Sequence, residues 1–133
     1  MANYTHSRTS VYNVNYHIVW STKYRREVLV GDVETDLKLL LAQIAESKGF
    51  TVSALEVMPD HVHVFASAHP KIAPGYLYKV LKGISGRLLF MRHPDLRAKL
   101  WKGHLWNPST FVETIGHISE ETVRRYIEDQ KSK

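Results

Sequence analysis

The sequence contains no cysteine, which excludes disulfides, thiolate metal sites and cysteine nucleophiles. It has no apolar run approaching the roughly 18 residues of a membrane span, and the polar segment 1–10 has no stretch typical of a secretory signal. Internal repeats and low-complexity segments are also missing. We therefore expect a cytoplasmic protein without a membrane partner. With 133 residues, 44% of them hydrophobic, the chain suits a single domain over 1–133.

Acidic residues are scarce between positions 71 and 104, where Asp95 is the only one. The basic residues of this stretch are Lys71, Lys79, Lys82, Arg87, Arg92, Arg97, Lys99 and Lys102. Such a block is typical of a protein that binds a polyanion. A solvated lysine-rich surface is the alternative. A nucleic-acid partner would place the protein at the nucleoid.

Hydrophobic periodicity, helix caps and turn residues divide the chain into seven elements. The patterns predict strands at 11–20, 50–57 and 61–67, a fourth strand reached through 104–115, and helices at 32–49, 74–92 and 119–130. The first six elements follow the split βαβ order of a ferredoxin-like sandwich. We expect an α+β fold with an antiparallel sheet and an appended C-terminal helix.

His61-Val62-His63 opens the third predicted strand. Side chains two residues apart in a strand point to the same face, so both imidazoles can approach one cation while Val62 enters the core. A chance pair of structural histidines is the alternative, since such a pair is a weak metal signal by itself. His17 either lies near this site or satisfies the sheet face.

Tyr126 and Gln130 are four residues apart on the last predicted helix and share one face. A phenol has a pKa near 10, so it attacks phosphorus only when a cation stabilises the developing charge. The sequence therefore suggests Tyr126 as a nucleophile beside a metal ion whose site Gln130 completes. Packing for Tyr126 and a surface position for Gln130 are the alternatives.

The other ligands of such an ion must be oxygen or nitrogen donors, because cysteine is missing. Mixed ligation of this kind suits Mg²⁺ or Mn²⁺, with Zn²⁺ as a less favoured choice.

Two segments are candidates for DNA contact. The segment Lys23, Tyr24, Arg25 and Arg26 offers cations and a stacking ring, although a solvated loop is the alternative for each residue. The second helix places Lys79, Lys82, Gly83, Gly86 and Arg87 opposite an apolar face made of Leu77, Val80, Leu81, Ile84, Leu88 and Met91. Its glycines cost roughly 1 kcal/mol each against alanine. Close approach of a phosphate backbone, tolerated flexibility and packing on a partner subunit would each explain them.

These stretches together resemble the single-tyrosine HUH transposases of small insertion sequences, the IS200-like family, which move as single-stranded DNA. HUH denotes histidine, hydrophobe, histidine, matched by His61-Val62-His63. The other matching stretches are 16–20 with 23–26, Leu81-Lys82-Gly83-Ile84-Ser85, and Tyr126-Ile127 with Gln130. One departure is Thr110, where we expect an aromatic residue in many relatives.

The resemblance implies a homodimer that binds single-stranded DNA with subterminal hairpins. It assigns His61, His63 and Gln130 as metal ligands and Tyr126 as the nucleophile, giving a 5′-phosphotyrosine and a free 3′-hydroxyl. It also implies that the tyrosine helix can complete the partner's site. A domesticated repeat-associated tyrosine transposase, a non-catalytic ferredoxin-like nucleic-acid-binding domain and a water-using phosphodiesterase are the competing interpretations.

Overall fold

A four-stranded antiparallel sheet is the centre of the fold in the computed structural model, which describes residues 5–6, 11–12, 14–100, 103–116, 124–125 and 128. The strands are β1 (Thr5–His6), β2 (Val11–Tyr12), β3 (Asn15–Ser21), β4 (Thr51–Val57), β5 (His61–Ser67) and β6 (Phe111–Ile115). The helices are α1 (Asp32–Lys48), α2 (Pro74–Arg92) and α3 (Pro94–Ala98), and a 3-10 turn covers Lys23–Arg25.

The strand order β4-β5-β3-β6, with every pair antiparallel, is the order of a ferredoxin-like sheet. This confirms the predicted α+β class. Strands β1 and β2 pair with each other in a separate small sheet. In the predicted C-terminal helix, positions 124, 125 and 128 are helical, and the rest of that helix lies outside the described residues.

The two faces of the main sheet differ in chemistry because side chains alternate along each strand. Tyr16, Ile18 and Trp20 of β3 join a hydrophobic core together with alternate residues of β5 from Val62 to Ala66, and α1 and α2 supply the leucines packed against them. The opposite face carries His17, His63 and Phe65, all buried. The polar site therefore lies across the sheet from the helices.

Several predicted details are wrong. The predicted strand 11–20 is divided, since β2 pairs with β1 and only β3 enters the main sheet. Pro94 ends α2 as expected but also starts α3, because proline suits the first turn of a helix. Met91, predicted in the core face of α2, is 66% exposed, whereas Ser85 is buried.

Both ends of α1 fall near the predicted positions. Gly49 takes a left-handed conformation at φ 78° and closes the helix. None of the helices in the described part of the chain has the length and apolar character needed to cross a membrane.

Candidate active site

His61 and His63 lie at the entrance of β5, as the pattern predicts. A loop of Pro59 and Asp60 precedes them, and the Met58 amide donates to the carbonyl of His61 across it at 2.8 Å. The two imidazole centroids are 5.1 Å apart with ring planes at 71°. The pair therefore occupies one face of the sheet, and the intervening valine is buried in the core.

A chain of hydrogen bonds fixes the ring of His63. The Glu113 carboxylate accepts from Nδ1–H of His17 at 3.2 Å, which leaves Nε2 of His17 as the acceptor for Nδ1–H of His63 at 3.0 Å. The register places His17 opposite Glu113 on one side and Phe65 on the other. His17 also stacks on Phe65 with centroids 4.4 Å apart. The free lone pair of His63 is consequently on Nε2.

Asp60 fixes the ring of His61 in the same way. Its Oδ1 accepts from Nδ1–H of His61 at 2.7 Å, and its Oδ2 accepts from Nε–H of Arg25 at 2.8 Å. Burial alone would raise the pKa of Asp60, but the hydrogen bonds from His61 and Arg25 and the charge of Arg25 hold this pKa below its usual value. The carboxylate stays ionised and keeps the His61 lone pair on Nε2.

The two lone-pair nitrogens have no partner in the described part of the chain. Nε2 of His61 and Nε2 of His63 are both buried and make no hydrogen bond there. A buried polar atom without a partner is unfavourable by about 1–3 kcal/mol, so two neighbouring examples need an explanation. Metal-binding histidines show this arrangement, with one ring nitrogen held by a carboxylate or other acceptor and the second turned to the ion.

Burial keeps the rings of His63 and His17 neutral. It lowers the pKa of His63 to about 4, with the neighbouring His17 and His61 adding to the effect. Burial likewise lowers the pKa of His17, against the opposing influence of Glu113. Neutral imidazole is the form that binds a metal ion, so the donor set fits a cation.

Two histidines do not complete a metal site. Within residues 14–100 and 103–116 and the other described positions, no three or more His, Asp, Glu or Cys side chains group in a way that could hold an ion. The predicted amide ligand Gln130 and the predicted nucleophile Tyr126 lie outside the described residues. Their meeting with the histidine pair stays a prediction.

Sequence reasoning missed the outer partners of the histidines. The sequence leaves His17 open between a site role and a sheet role, and it gives no site role to Glu113. A signal existed for one of them, since Asp60 directly precedes His61 in the chain. Glu113 gave no such signal, because it reaches the site through the pairing of β6 with β3.

The predicted DNA-binding segment 23–26 is an exposed turn after β3. Tyr24 is 54% exposed, and Nζ of Lys23 lies 5.2 Å from its ring centroid. Tyr24 and Arg25 have φ of 59° and 56°, a left-handed conformation that is uncommon for residues other than glycine. Arg26 is exposed as well. DNA contact by the four residues stays a prediction, although Arg25 already pairs with Asp60.

The second predicted DNA surface lies on α2. Lys79, Gly83 and Arg87 are exposed and follow one another at four-residue spacing, so they share one face of the helix. Lys82 instead turns to the loop before β6, where Nζ donates to three acceptors: the carbonyls of Asn107 (2.9 Å) and Ser109 (3.3 Å) and Oγ1 of Thr110 (2.8 Å).

Burial lowers the pKa of Lys82, and its three ammonium donors are matched by these three acceptors. The structure thus gives Lys82 an anchoring role, while its contact with DNA stays a prediction. Thr110, where we expect an aromatic residue in many relatives, provides one of these acceptors through its hydroxyl.

Gly86 serves protein packing, contrary to its placement on the polar face. It is buried, and a Cβ there would lie 3.1 Å from Nε1 of Trp106. The same indole nitrogen donates to the carbonyl of Lys82 at 2.9 Å. A groove of about 260 Å³ lies between this part of α2 and residues 103–106.

Comparisons with known proteins agree on one family. The family model described as IS200-like transposase matches residues 10–130. The ISDra2 transposase TnpA of Deinococcus radiodurans is 45% identical over 126 residues, covering 95% of this chain and 90% of the relative. The transposase for insertion sequence element IS200 of Salmonella typhimurium is 29% identical over 119 residues, covering 90% of this chain and 78% of the relative.

Solved structures are similar as well. A crystal structure of a candidate transposase from Deinococcus radiodurans R1 has a TM-score of 0.78 and 43% identity, covering 95% of this chain and 97% of the other. A REP-associated tyrosine transposase bound to a REP hairpin has a TM-score of 0.58 and 14% identity, covering 92% of this chain and 67% of the other, and shows the fold alone. The chain therefore belongs to the family of IS200-like transposases, which are enzymes of DNA cleavage and strand transfer.

Proposed function

We propose that this transposase cleaves and rejoins single-stranded DNA at the hairpin ends of an insertion sequence, with Tyr126 as the nucleophile. The observation that carries the proposal is the pair of buried Nε2 atoms on His61 and His63, both without a partner in the described residues. Two imidazole nitrogens, each on a ring fixed by a hydrogen bond to its other nitrogen, would hold a divalent ion, and Gln130 would provide a third ligand. The proposed place of action is the cytoplasm, on nucleoid DNA.

In the proposed reaction, the phenolic oxygen of Tyr126 forms a bond to the scissile phosphorus and the bond from phosphorus to the 3′-oxygen breaks. The phenol proton passes to solvent, and the departing 3′-oxygen takes up a proton to become a hydroxyl. Mg²⁺ or Mn²⁺ at the site would stabilise the charge on the attacking and leaving oxygens. A 3′-hydroxyl from another strand end then attacks the 5′-phosphotyrosine, which regenerates the phenol and restores a phosphodiester.

DNA binding would use the turn 23–26 and the exposed face of Lys79, Gly83 and Arg87 on α2. Both elements attach to the same segment, since the Lys23 amide donates to the Leu105 carbonyl and the indole of Trp106 donates to α2. A surface that carries several cations suits the phosphate backbone of a DNA hairpin. The fold is also that of the REP-associated transposase solved with a REP hairpin. We further propose a homodimer in which the tyrosine helix can complete the partner's site.

The test is a denaturation-resistant protein–DNA adduct. Wild-type protein is incubated with labelled single-stranded DNA carrying candidate end hairpins and Mg²⁺ or Mn²⁺, then separated under denaturing conditions. We expect Tyr126→Phe to form no adduct while it still binds the hairpin, because the ring is kept and only the attacking oxygen is lost. Tyr76→Phe is the matched control, since Tyr76 is an exposed tyrosine on α2, and it should form the adduct normally.

The outcomes separate the competing interpretations. An adduct of normal yield from Tyr126→Phe would refute the nucleophile assignment. Cleavage without an adduct in both the wild type and Tyr126→Phe would indicate a phosphodiesterase that uses water as the nucleophile. Binding without cleavage in the wild type would indicate a non-catalytic domain. Flanking imperfect palindromes beside the coding sequence would favour a mobile element over a domesticated repeat-associated relative.

A further inference from the structure

The loop of Pro59 and Asp60 precedes β5 and is attached to the segment 22–29. Each of the two loop residues accepts one backbone hydrogen bond from that segment. The Thr22 amide donates to the Asp60 carbonyl, and the Leu29 amide donates to the Pro59 carbonyl, each at 2.9 Å. Thr22 is fully buried. The turn after β3 and the loop before β5 therefore form one connected unit.

Within this unit, Arg25, Asp60 and His61 form a chain of two side-chain contacts. Nε–H of Arg25 donates to Oδ2 of Asp60 at 2.8 Å, and Nδ1–H of His61 donates to Oδ1 at 2.7 Å. Each carboxylate oxygen thus has a different partner. The two contacts hold the two oxygens of one planar carboxylate. Arg25 therefore limits the rotation of the Asp60 carboxylate, which accepts the hydrogen bond from the His61 imidazole.

The backbone of the turn favours a positional role for Arg25. Arg25 has φ of 56° and follows Tyr24 at φ 59°. Residues other than glycine disfavour this left-handed region of the backbone. Such conformations persist where the surroundings enforce them, and they concentrate at functional sites. The Arg25 amide donates to the Thr22 carbonyl at 3.0 Å, which ties the strained residue to the buried base of the turn.

We propose that Arg25 is a positioning residue for the metal ligand His61, acting through Asp60. This rests on the proposed function of the His61–His63 pair. Without Arg25, the Asp60 carboxylate keeps one partner and can rotate, so His61 no longer has one tautomer and one orientation. The sequence predicts a different role for Arg25, direct contact with phosphate, and the two roles differ in a metal-binding measurement made without DNA.

The experiment is a double-mutant cycle on Mn²⁺ affinity in DNA-free protein, measured by calorimetric titration. Loss of an outer partner of a ligating histidine typically weakens metal binding by roughly 10- to 100-fold, which we expect for Asp60→Asn. For Arg25→Gln we expect Mn²⁺ binding to weaken roughly five-fold, in keeping with the loss of an exposed ion pair. The double variant should match Asp60→Asn alone, because Arg25 acts only through that carboxylate. Effects that multiply in the double variant would overturn the proposal.

Two further variants separate position from charge. Arg26→Gln is the matched control, because Arg26 is the adjacent exposed arginine, and it should leave Mn²⁺ affinity unchanged while it weakens binding of single-stranded DNA. Arg25→Lys keeps a cation beside Asp60 and should recover most of the Mn²⁺ affinity lost in Arg25→Gln. Equal losses in Arg25→Gln and Arg26→Gln would overturn the proposal, since a general charge effect would then explain both.

A readout that needs no metal keeps this proposal separate from the proposed function. Nitrogen-15 NMR of the imidazoles in metal-free protein should show His61 protonated on Nδ1 in the wild type and a mixture of tautomers in Arg25→Gln. If the wild type bound no Mn²⁺, the proposed function would fail, and the tautomer comparison would still decide the role of Arg25. An unchanged His61 tautomer in Arg25→Gln would overturn the positioning role of Arg25.

Discussion

At the scale of the residue, the histidines of the site depend on different partners. His61 is held by a carboxylate next to it in the chain, whereas His63 is held by His17, which is in turn held by Glu113. Since His17 and His63 are both fully buried and neutral, no water competes for their contact. The orientation of His63 therefore depends on a ring that is not itself expected to touch the proposed ion.

We predict that His17→Phe weakens Mn²⁺ binding by roughly 10- to 100-fold, because Nδ1–H of His63 loses its acceptor and the ring is no longer fixed. Phenylalanine keeps the stacking surface against Phe65, so the protein should fold, with stability lower by about 1–3 kcal/mol for the unmatched donor. Calorimetric titration and urea unfolding measure the two effects.

Glu113→Gln is the companion variant, since its amide oxygen can still accept from His17. It should bind Mn²⁺ better than His17→Phe. Wild-type Mn²⁺ affinity in a folded His17→Phe protein would contradict the role of His17.

At the scale of the element, two glycines of α2 lie in different surroundings. Gly86 faces Trp106, whose indole is fixed by its hydrogen bond to the Lys82 carbonyl. Gly83 is exposed, and a Cβ there would meet nothing within 4 Å. The amphipathic pattern correctly placed Leu77 and Leu81 in the core, but it could not assign Gly86, because the partner of that position is a loop residue distant in the chain.

The two glycines give opposite predictions for alanine. Gly83→Ala should stabilise the protein by up to about 1 kcal/mol, the usual helix preference for alanine over glycine. Gly86→Ala gains the same preference, but its Cβ would lie 3.1 Å from the Trp106 nitrogen, so the indole would have to shift by a few tenths of an ångström and strain its hydrogen bond to the Lys82 carbonyl. We expect a net loss of about 1 kcal/mol. Urea unfolding of both variants measures the difference, and stabilisation by Gly86→Ala would show that the indole moves freely.

At the scale of the whole molecule, basic residues from distant parts of the chain lie on connected elements. The turn 23–26 and α2 both bond to the segment 105–110, which joins them into one structural unit. The predicted basic block from 71 to 104 is not uniformly available, however. Arg92 pairs with Asp36 at 2.6 Å, and Lys82 anchors a loop. The exposed Lys79 and Arg87 are the better candidates for phosphate contact.

We predict that the double variant Lys79→Gln/Arg87→Gln lowers the salt dependence of single-stranded DNA binding. Each lost phosphate contact should reduce the slope of log K against log salt concentration by about 0.7. Fluorescence anisotropy over a salt series measures the slope. Lys48→Gln is the control, because Lys48 is an exposed lysine at the end of α1, and its slope should equal the wild-type value. An unchanged slope in the double variant would contradict the proposed contact between α2 and DNA.

The sequence by itself determined the order along the chain of the main-sheet strands and of α1 and α2, the shared face of His61 and His63, and the end of α1 at Gly49. These features are local, since side-chain period and caps are set by neighbours in the chain. Only the tertiary structure decided that His17 reaches His63, 46 positions away, and Glu113, 96 positions away. Strand register brings those residues together, and register depends on how the whole sheet packs against its core.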